Sequence, residues 1–226
     1  MKKTLSIIAI AGSLLATSAY AKTEGNYFGI DVLRSTAQVK STSTLASDNV
    51  GSAAPYYNHN KKDSAYGFGL NYKYAFNFNN FFVAPGISYD FLNNDVKSNH
   101  ITASNNYFSQ NVKLKSAVSL RANLGYDIND QFAVYVPVGI SQFQYDINTT
   151  DVSAGSSVSQ KKSSNKSAAF IGFGFSYEPV KNWVMNLEYN KYQNLKLTSG
   201  TATVDGGQIS AKTNVSMVKL GLAYRF

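Results

Sequence analysis

Residues 66–76 read YGFGLNYKYAF and alternate between large apolar or aromatic residues and small or polar ones. Even positions from Tyr66 to Phe76 carry rings or Leu, whereas odd positions carry Gly, Asn, Lys or Ala. A period of two is that of a β-strand with one apolar face, because successive side chains point to opposite faces. The stretch therefore predicts a strand that holds one face against apolar surroundings.

Seven further segments share this alternation, which predicts eight strands in all. Their apolar faces span residues 28–32, 81–89, 112–126, 132–140, 171–177, 183–189 and 218–226. In the third of these segments, the period of two assigns Val112 and Leu114 to the same apolar face as Val118 and Leu120. An even number of such strands predicts an all-β fold, an eight-stranded antiparallel up-and-down transmembrane β-barrel.

The connections alternate in length. Short, turn-forming links fall at residues 77–80, 128–131 and 179–182, and long polar loops are predicted at about 41–62, 92–111, 148–166 and 198–213. Short turns at one end and long loops at the other are typical of outer-membrane barrels, whose long loops are extracellular.

The first 21 residues form a predicted signal peptide. Lys2 and Lys3 precede an apolar stretch at 5–15, and Ala19-Tyr20-Ala21 fits the small-x-small cleavage pattern. We predict cleavage after Ala21, which leaves 22–226 as the barrel. A retained membrane helix would need about 20 apolar residues and a stop-transfer pattern.

Aromatic residues bracket the predicted strands near the short turns, where Tyr and Trp favour a membrane interface. They are Phe76, Phe81, Tyr126, Phe132, Tyr177, Trp183 and Phe226. The alternative is that these rings form the core of a soluble β-sandwich. The opposite faces are rich in Gly and Ser, which fits a narrow lumen better than a solvated surface.

Charged side chains on the opposite faces are predicted to point into the lumen. The proposed lumenal network is Asp31, Lys73, Asp90, Arg121, Glu188 and Lys219. Glu188 and Lys219, on adjacent strands, are the first candidate pair, with Arg121 as a third member, because unpaired charges in a confined space are unfavourable. Asp127, Glu178 and Arg225 also point inward. They either form pairs or lie unpaired at the water-filled ends of the barrel. A paired network would plug the barrel, whereas an open lumen would make it a small pore for ions or small solutes.

The final residues, 219–226, read KLGLAYRF. Gly221, Leu222, Tyr224 and the terminal Phe226 resemble the C-terminal assembly signal of Gram-negative outer-membrane proteins. With the signal peptide and the strands, the mature chain resembles the small porin-like surface antigens, the OmpA/OmpX-type and opacity-type barrels. The resemblance implies a cell outer membrane location, contact with outer-membrane lipid and lipopolysaccharide, and recognition by the barrel-assembly machinery. The richness in Lys, Asn and Tyr is similar to that of proteins from rickettsia-like bacteria.

Other chemistries find little support in the sequence. There is no Cys, and the two His residues, His59 and His100, lie in predicted loops. We therefore expect no enzyme activity, metal or cofactor. The sequence pI is about 9.4, but the bases form no stripe, so nucleic acid is not an expected partner.

The long loops make the outer surface the expected place of function. Candidate contact residues are Tyr56, Tyr57, Tyr107, Lys161, Lys162 and Lys166. Tyr-containing polar loops adapt to partners, and a basic cluster favours anionic host glycans or lipopolysaccharide phosphates. The sequence thus predicts a plugged structural barrel with adhesin-like loops for a host-cell receptor or glycan. The alternative is that the loops only shield the barrel.

Overall fold

The computed structural model describes residues 23–44, 57–101, 107–153, 156–193, 195–198 and 208–226. The signal peptide and its cleavage site therefore lie outside the described residues. Nine strands occur in the described part: β1 (Gly25–Thr44), β2 (Tyr57–Phe78), β3 (Phe81–Ile101), β4 (Tyr107–Asp127), β5 (Phe132–Ser153), β6 (Ser156–Val180), β7 (Trp183–Tyr192), β8 (Leu195–Thr198) and β9 (Gln208–Arg225). None of the described residues forms a helix long and apolar enough to cross a membrane.

The strands close into a ring. Each pairs antiparallel with its neighbour from β1 to β7, β7 pairs with β9, and β9 pairs back with β1. The short β8 pairs with β9 just beyond β7, so β7 and β8 share one position in the ring. The ring thus has the eight positions that the sequence predicts. Two of its tight turns place Asn79 and Asn182 at positive φ, a conformation that Asn tolerates better than most residues.

The lower half of the ring, next to the short turns, is apolar outside. Exposed side chains there include Ile30, Leu120, Phe173 and Leu187, which are 52–66% exposed. A contiguous apolar belt of this kind suits lipid and would be unfavourable in water. The aromatic side chains of this belt therefore face outward from the barrel. The alternative, in which they form the core of a soluble β-sandwich, is wrong.

Above the belt the ring divides into two sheets. Pairing between β2 and β3 ends at Phe68 and Phe91, and pairing between β6 and β7 ends at Phe170 and Tyr192. The remaining ladders continue upward, so β8-β9-β1-β2 form one four-stranded sheet and β3-β4-β5-β6 another. We call them the β1 sheet and the β4 sheet.

The two sheets share an apolar core. Leu33, Val39, Val112, Phe143 and Met217 are at most 4% exposed and belong to one cluster of buried residues. Each fully buried side chain of this kind contributes about 1.5–3 kcal/mol. The pattern of the lower half is therefore reversed in the upper half, with apolar residues inside and polar residues outside.

This upper half corrects the predicted loop boundaries. Strands extend through much of 41–62, 92–111, 148–166 and 198–213, which we predicted as loops. Their Ser, Thr, Asn and Lys residues resemble loop composition, yet within 92–111 the apolar Leu92 and Val96 face the shared core. Ladder hydrogen bonds and that core together favour strand over loop.

A β-bulge in β4 changes which face of this strand is buried, so part of the predicted face is wrong. The register with β5 shifts between Leu114 and Ser116, which reverses the side-chain alternation. Val112 and Leu114 are therefore 1% exposed inside the upper core, although the period of two assigned them to the lipid face. Val118 and Leu120, beyond the bulge, face outward as predicted.

Candidate functional site

The middle of the lumen holds a layer of charged side chains. Asp31, Asp90 and Glu188 are acids in this layer, and Arg121 and Lys219 are bases, each from a different strand. Every one occupies an inward position of its strand, because the outward positions beside it carry the apolar belt. The charges therefore gather in the barrel because alternation and lipid exclude them from the outside.

Two ion pairs cross the lumen. Lys219 Nζ donates to both carboxylate oxygens of Asp90 at 2.6 Å, and the two side chains are 4% and 0% exposed. Arg121 pairs with Glu188 Oε2, and these side chains are 8% and 6% exposed. Arg121 also donates to Asn123 Oδ1 at 2.9 Å, and Asn190 donates to Glu188 Oε1 at 2.5 Å.

These pairs replace the one that we predicted first. Glu188 and Lys219 do lie opposite each other on β7 and β9. The structure nevertheless gives them separate partners on the far side of the lumen, Arg121 on β4 and Asp90 on β3. Adjacent-strand reasoning missed this, because in a narrow barrel a long side chain reaches across the lumen. Asn123 and Asn190 were missed as well, although both are polar residues at inward positions.

Asp31 and Lys73 complete the layer in a different way. Asp31 accepts a hydrogen bond from Asn71 Nδ2 at 3.0 Å. It lies between Gly69 and Gly221, and a Cβ atom on Gly221 would approach Asp31 Oδ1 to 2.2 Å. The Lys73 ammonium is 5.0 Å from the ring centroid of Tyr27 and 5.6 Å from that of Tyr135, within cation–π range.

An aromatic layer closes the lumen below these charges. The Phe82 ring lies against Gly125, where an added Cβ would come within 2.1 Å of it, and the Tyr135 ring lies against Gly174 at 2.2 Å. Phe82, Gly125, Tyr135 and Gly174 are successive register partners around the ring. Large and small residues thus alternate, which lets flat rings fill a narrow cross-section.

The lower end of the lumen resolves an alternative left open by the sequence. Arg225 is paired with Glu178 at 2.7 Å, and both are under 20% exposed. Asp127 accepts from Asn77 Nδ2 at 3.0 Å and also from the Thr23 hydroxyl. These three charged residues therefore have polar partners at the mouth of the barrel.

Two small cavities lie in the described lumen. One cavity at the charged layer measures about 20 Å³, and one below it about 30 Å³. Such volumes hold about one or two water molecules each. Lys73 lines both cavities and lies between them.

The predicted surface contacts that the structure describes fall near its top. Lys161, Lys162 and Lys166 are exposed on β6, in the part of that strand that has lost its β7 neighbour. Tyr57 and Tyr107 begin β2 and β4, and the placement of their side chains, as of Tyr56, lies outside the described residues. The same holds for the side chains of His59 and His100. No group of three or more His, Cys, Asp or Glu suited to a metal occurs in the described residues.

The C-terminal residues close the ring. Leu222, Tyr224 and Phe226 face outward and are 41–64% exposed, whereas Gly221 faces the lumen beside Asp31. Phe226 N donates to Asn26 O at 3.0 Å, and Asn26 N donates to Phe226 O at 3.2 Å. The last residue of the chain thus joins the first strand to the last.

The model of the outer membrane protein beta-barrel domain family matches residues 7–226 of the sequence. The chain belongs to this family. This membership, with the lipid-facing belt, places the protein in the outer membrane of a Gram-negative bacterium.

Individual relatives of this outer-membrane barrel are distant. Outer membrane protein A of Serratia marcescens is 28% identical over 109 residues, which are 48% of this chain and 28% of that protein, so the match spans just over a quarter of the relative. The structure of OprG from Pseudomonas aeruginosa has a TM-score of 0.55 at 12% identity, covering 90% of this chain and 98% of that one. Ail of Yersinia pestis, solved with the heparin analogue sucrose octasulfate, has a TM-score of 0.41 at 17% identity, covering 89% and 99%. At these identities, OprG shows a shared fold and no more.

Proposed function

We propose that this protein is a closed structural barrel whose activity lies at the surface it raises above the outer membrane. The observation that carries the proposal is the pair of cross-lumen ion pairs, Lys219–Asp90 and Arg121–Glu188, with side chains at most 8% exposed. An aromatic layer lies below them and the apolar core of the two sheets lies above. A solute would have to displace all three layers to pass.

Planar-bilayer recording of the refolded mature protein tests closure. Closure predicts no steady single-channel steps, and a heat-modifiable gel band shows that the barrel has folded. The alternative is a small pore, and it predicts stable steps whose ion selectivity changes in Asp90→Asn, because that carboxylate would line the path. Selective, Asp90-dependent conductance would contradict closure.

We propose that the upper half makes adhesive contacts with anionic host glycans or a host receptor. Lys161 and Lys162 support this proposal, because both are exposed on the part of β6 beyond its pairing with β7 and carry positive charge. Lys166, Tyr56, Tyr57 and Tyr107 are further candidate contacts from the sequence. We assign no enzymatic role, because the proposal draws only on the exposed lysines of β6 and on tyrosines chosen from the sequence.

Adherence of cells that display the barrel tests this second part. Lys161→Gln with Lys162→Gln should reduce binding to host cells and to beads coated with sulfated glycan. The matched control is Lys97→Gln with Lys113→Gln, which removes the same charge from β3 and β4. Equal adherence of the two variants would contradict a contact site on β6.

We also propose that β9 carries the signal for the barrel-assembly machinery. Leu222, Tyr224 and Phe226 support this, because they form an exposed apolar row at the end of the chain. Replacement of Phe226 by Ser should lower the folded fraction in cells while the purified chain still refolds in detergent. Unchanged assembly in cells would contradict the proposal.

A further inference from the structure

The outer face of the β1 sheet, above the lipid belt, carries many bases. Its exposed bases are Arg34, Lys40, Lys62, Lys196 and Lys212, and Lys191 lies beside them at the upper end of β7. All six side chains point outward. Each base, or its register partner on the next strand, lies next to residues that are buried between the two sheets. Among the described residues of this sheet above Val32, no acid shares that face, since Asp63 pairs opposite the buried Ala37.

Three of these bases form one row across the sheet. Lys40 is the register partner of Lys212, and Lys212 is the partner of Lys196. Directly opposed side chains in an antiparallel sheet lie about 5 Å apart at Cβ, and like charges at that distance destabilise the sheet. A row of three lysines is therefore unfavourable unless an anion lies against it.

The β4 sheet differs in this respect. On its outer face Lys115 pairs with Asp146 at 2.6 Å, Lys161 is 4.0 Å from the same carboxylate, and Lys97 is 3.7 Å from Asp95. Bases on that sheet are partly neutralised by acids of the protein. Within the described residues, the basic face of the β1 sheet has no such carboxylates on it.

The position of the basic face relates it to the membrane. Arg34 pairs opposite Tyr66 and Val218, and the row immediately below is the apolar Val32, Phe68 and Leu220. The lowest bases thus lie at the outer boundary of the lipid belt. Six residues from Arg34 to Lys40 rise ~20 Å along a strand, or ~15 Å along the membrane normal at the usual barrel tilt.

We propose that this face binds lipopolysaccharide of the outer leaflet. Arg34 and Lys191, at the boundary, contact the phosphates of the lipid headgroup. Lys40, Lys196 and Lys212 contact the phosphates and carboxylates of the sugars above it. The continuity of the bases with the lipid belt favours a membrane-anchored polyanion over a soluble one, and each base near such a surface adds to attraction.

Binding of purified rough lipopolysaccharide to the folded mature protein in nanodiscs tests the proposal. Lys40→Gln with Lys212→Gln, and separately Arg34→Gln with Lys191→Gln, should each weaken binding by roughly tenfold or more. The control, Lys97→Gln with Lys113→Gln, removes two charges from the β4 sheet and should leave binding within about twofold. Equal weakening in all three variants would overturn the site.

Two further measurements separate the alternatives. Dephosphorylated lipopolysaccharide should bind the wild-type protein less tightly, and soluble heparin should not displace the intact lipid. Displacement by heparin would assign the face to a soluble polyanion instead.

The second measurement is thermal stability. Without lipopolysaccharide, Lys40→Gln with Lys212→Gln should raise the Tm, because it relieves the repulsion within the lysine row. With lipopolysaccharide, the wild type should gain more in Tm than the variant. An unchanged Tm in both conditions would contradict the proposal.

Discussion

At the scale of single residues, the lumen shows what a charge in a barrel requires. Sequence alternation predicts which charges point inward, since the lipid face excludes them. It does not predict which charges meet, because the partners of Lys219 and Glu188 lie across the lumen and not on the next strand. Pairing across the lumen depends on barrel diameter and on glycines such as Gly69, where an added Cβ would approach Asp90 Oδ1 to 2.5 Å, and Gly221, which makes room for Asp31.

The Lys219–Asp90 pair gives a prediction for stability. Lys219→Met leaves Asp90, which is 0% exposed, without its cation, and a broken buried pair costs about 3–5 kcal/mol. Urea unfolding of the refolded barrel measures the free energy of unfolding. The control is Lys97→Met, whose 67% exposed side chain should contribute less than about 1 kcal/mol. Asp90→Asn with Lys219→Met should recover part of the loss. Equal effects of the two single variants would contradict the buried pair.

At the scale of elements, β4 shows where sequence reasoning ends. Period-two alternation runs through this strand without a visible break, so nothing in composition marks the bulge at Leu114 to Ser116. Val112 is as suited to lipid as to a protein core, so its residue type cannot decide the face. The β5 ladder decides it, through pairings that single-sequence patterns do not contain.

The bulge predicts opposite reactivities for two neighbouring residues. The natural chain has no Cys, so single substitutions report cleanly. In intact cells, Lys113→Cys should react with a membrane-impermeant maleimide, whereas Val112→Cys should be protected, because Val112 is 1% exposed in the upper core. Rapid labelling at 112 with protection at 113 would contradict the bulge and support an alternation that continues unbroken through β4.

The contact between β4, β5 and β6 at Asp146 gives a pH prediction. Hydrogen bonding from Lys115, together with Ser163, holds the pKa of the Asp146 carboxyl below its ordinary value. A lowered folded-state pKa stabilises the fold at and above the ordinary pKa range of Asp, and this stability is lost as the pH falls below it.

Asp146→Asn should therefore lose stability in the upper half at neutral pH and show a weaker pH dependence below the Asp range. Hydrogen exchange of β4 and β5 over a pH series measures this. Lys97→Gln, on the same sheet, serves as the control and should keep the wild-type profile. A profile of Asp146→Asn that matches the wild type would contradict the assignment.

At the scale of the whole molecule, one alternating pattern serves two environments. In the lower half it places apolar residues against lipid, and in the upper half it places them between two sheets. Both ring closure and the membrane belt could be predicted from the sequence, because alternation and turn spacing carry that information. The two-sheet extension could not, since Ser, Thr and Lys on its outer faces resemble loop composition. The basic face of the β1 sheet could not be predicted either, because only the strand register shows that Lys40, Lys196 and Lys212 lie side by side.

The reversal between the two halves is the central claim, and spin labels along β1 test it most directly. Single Cys substitutions at Ile30, Val32, Arg34, Thr36 and Gln38, all on the outer face, are labelled in bilayers. Collision rates with oxygen and with a water-soluble nickel complex are then measured by electron paramagnetic resonance. The account predicts lipid exposure at 30 and 32, a crossing near 34, and water exposure at 36 and 38. Lipid exposure that continues to 38, or water exposure at 30, would contradict it.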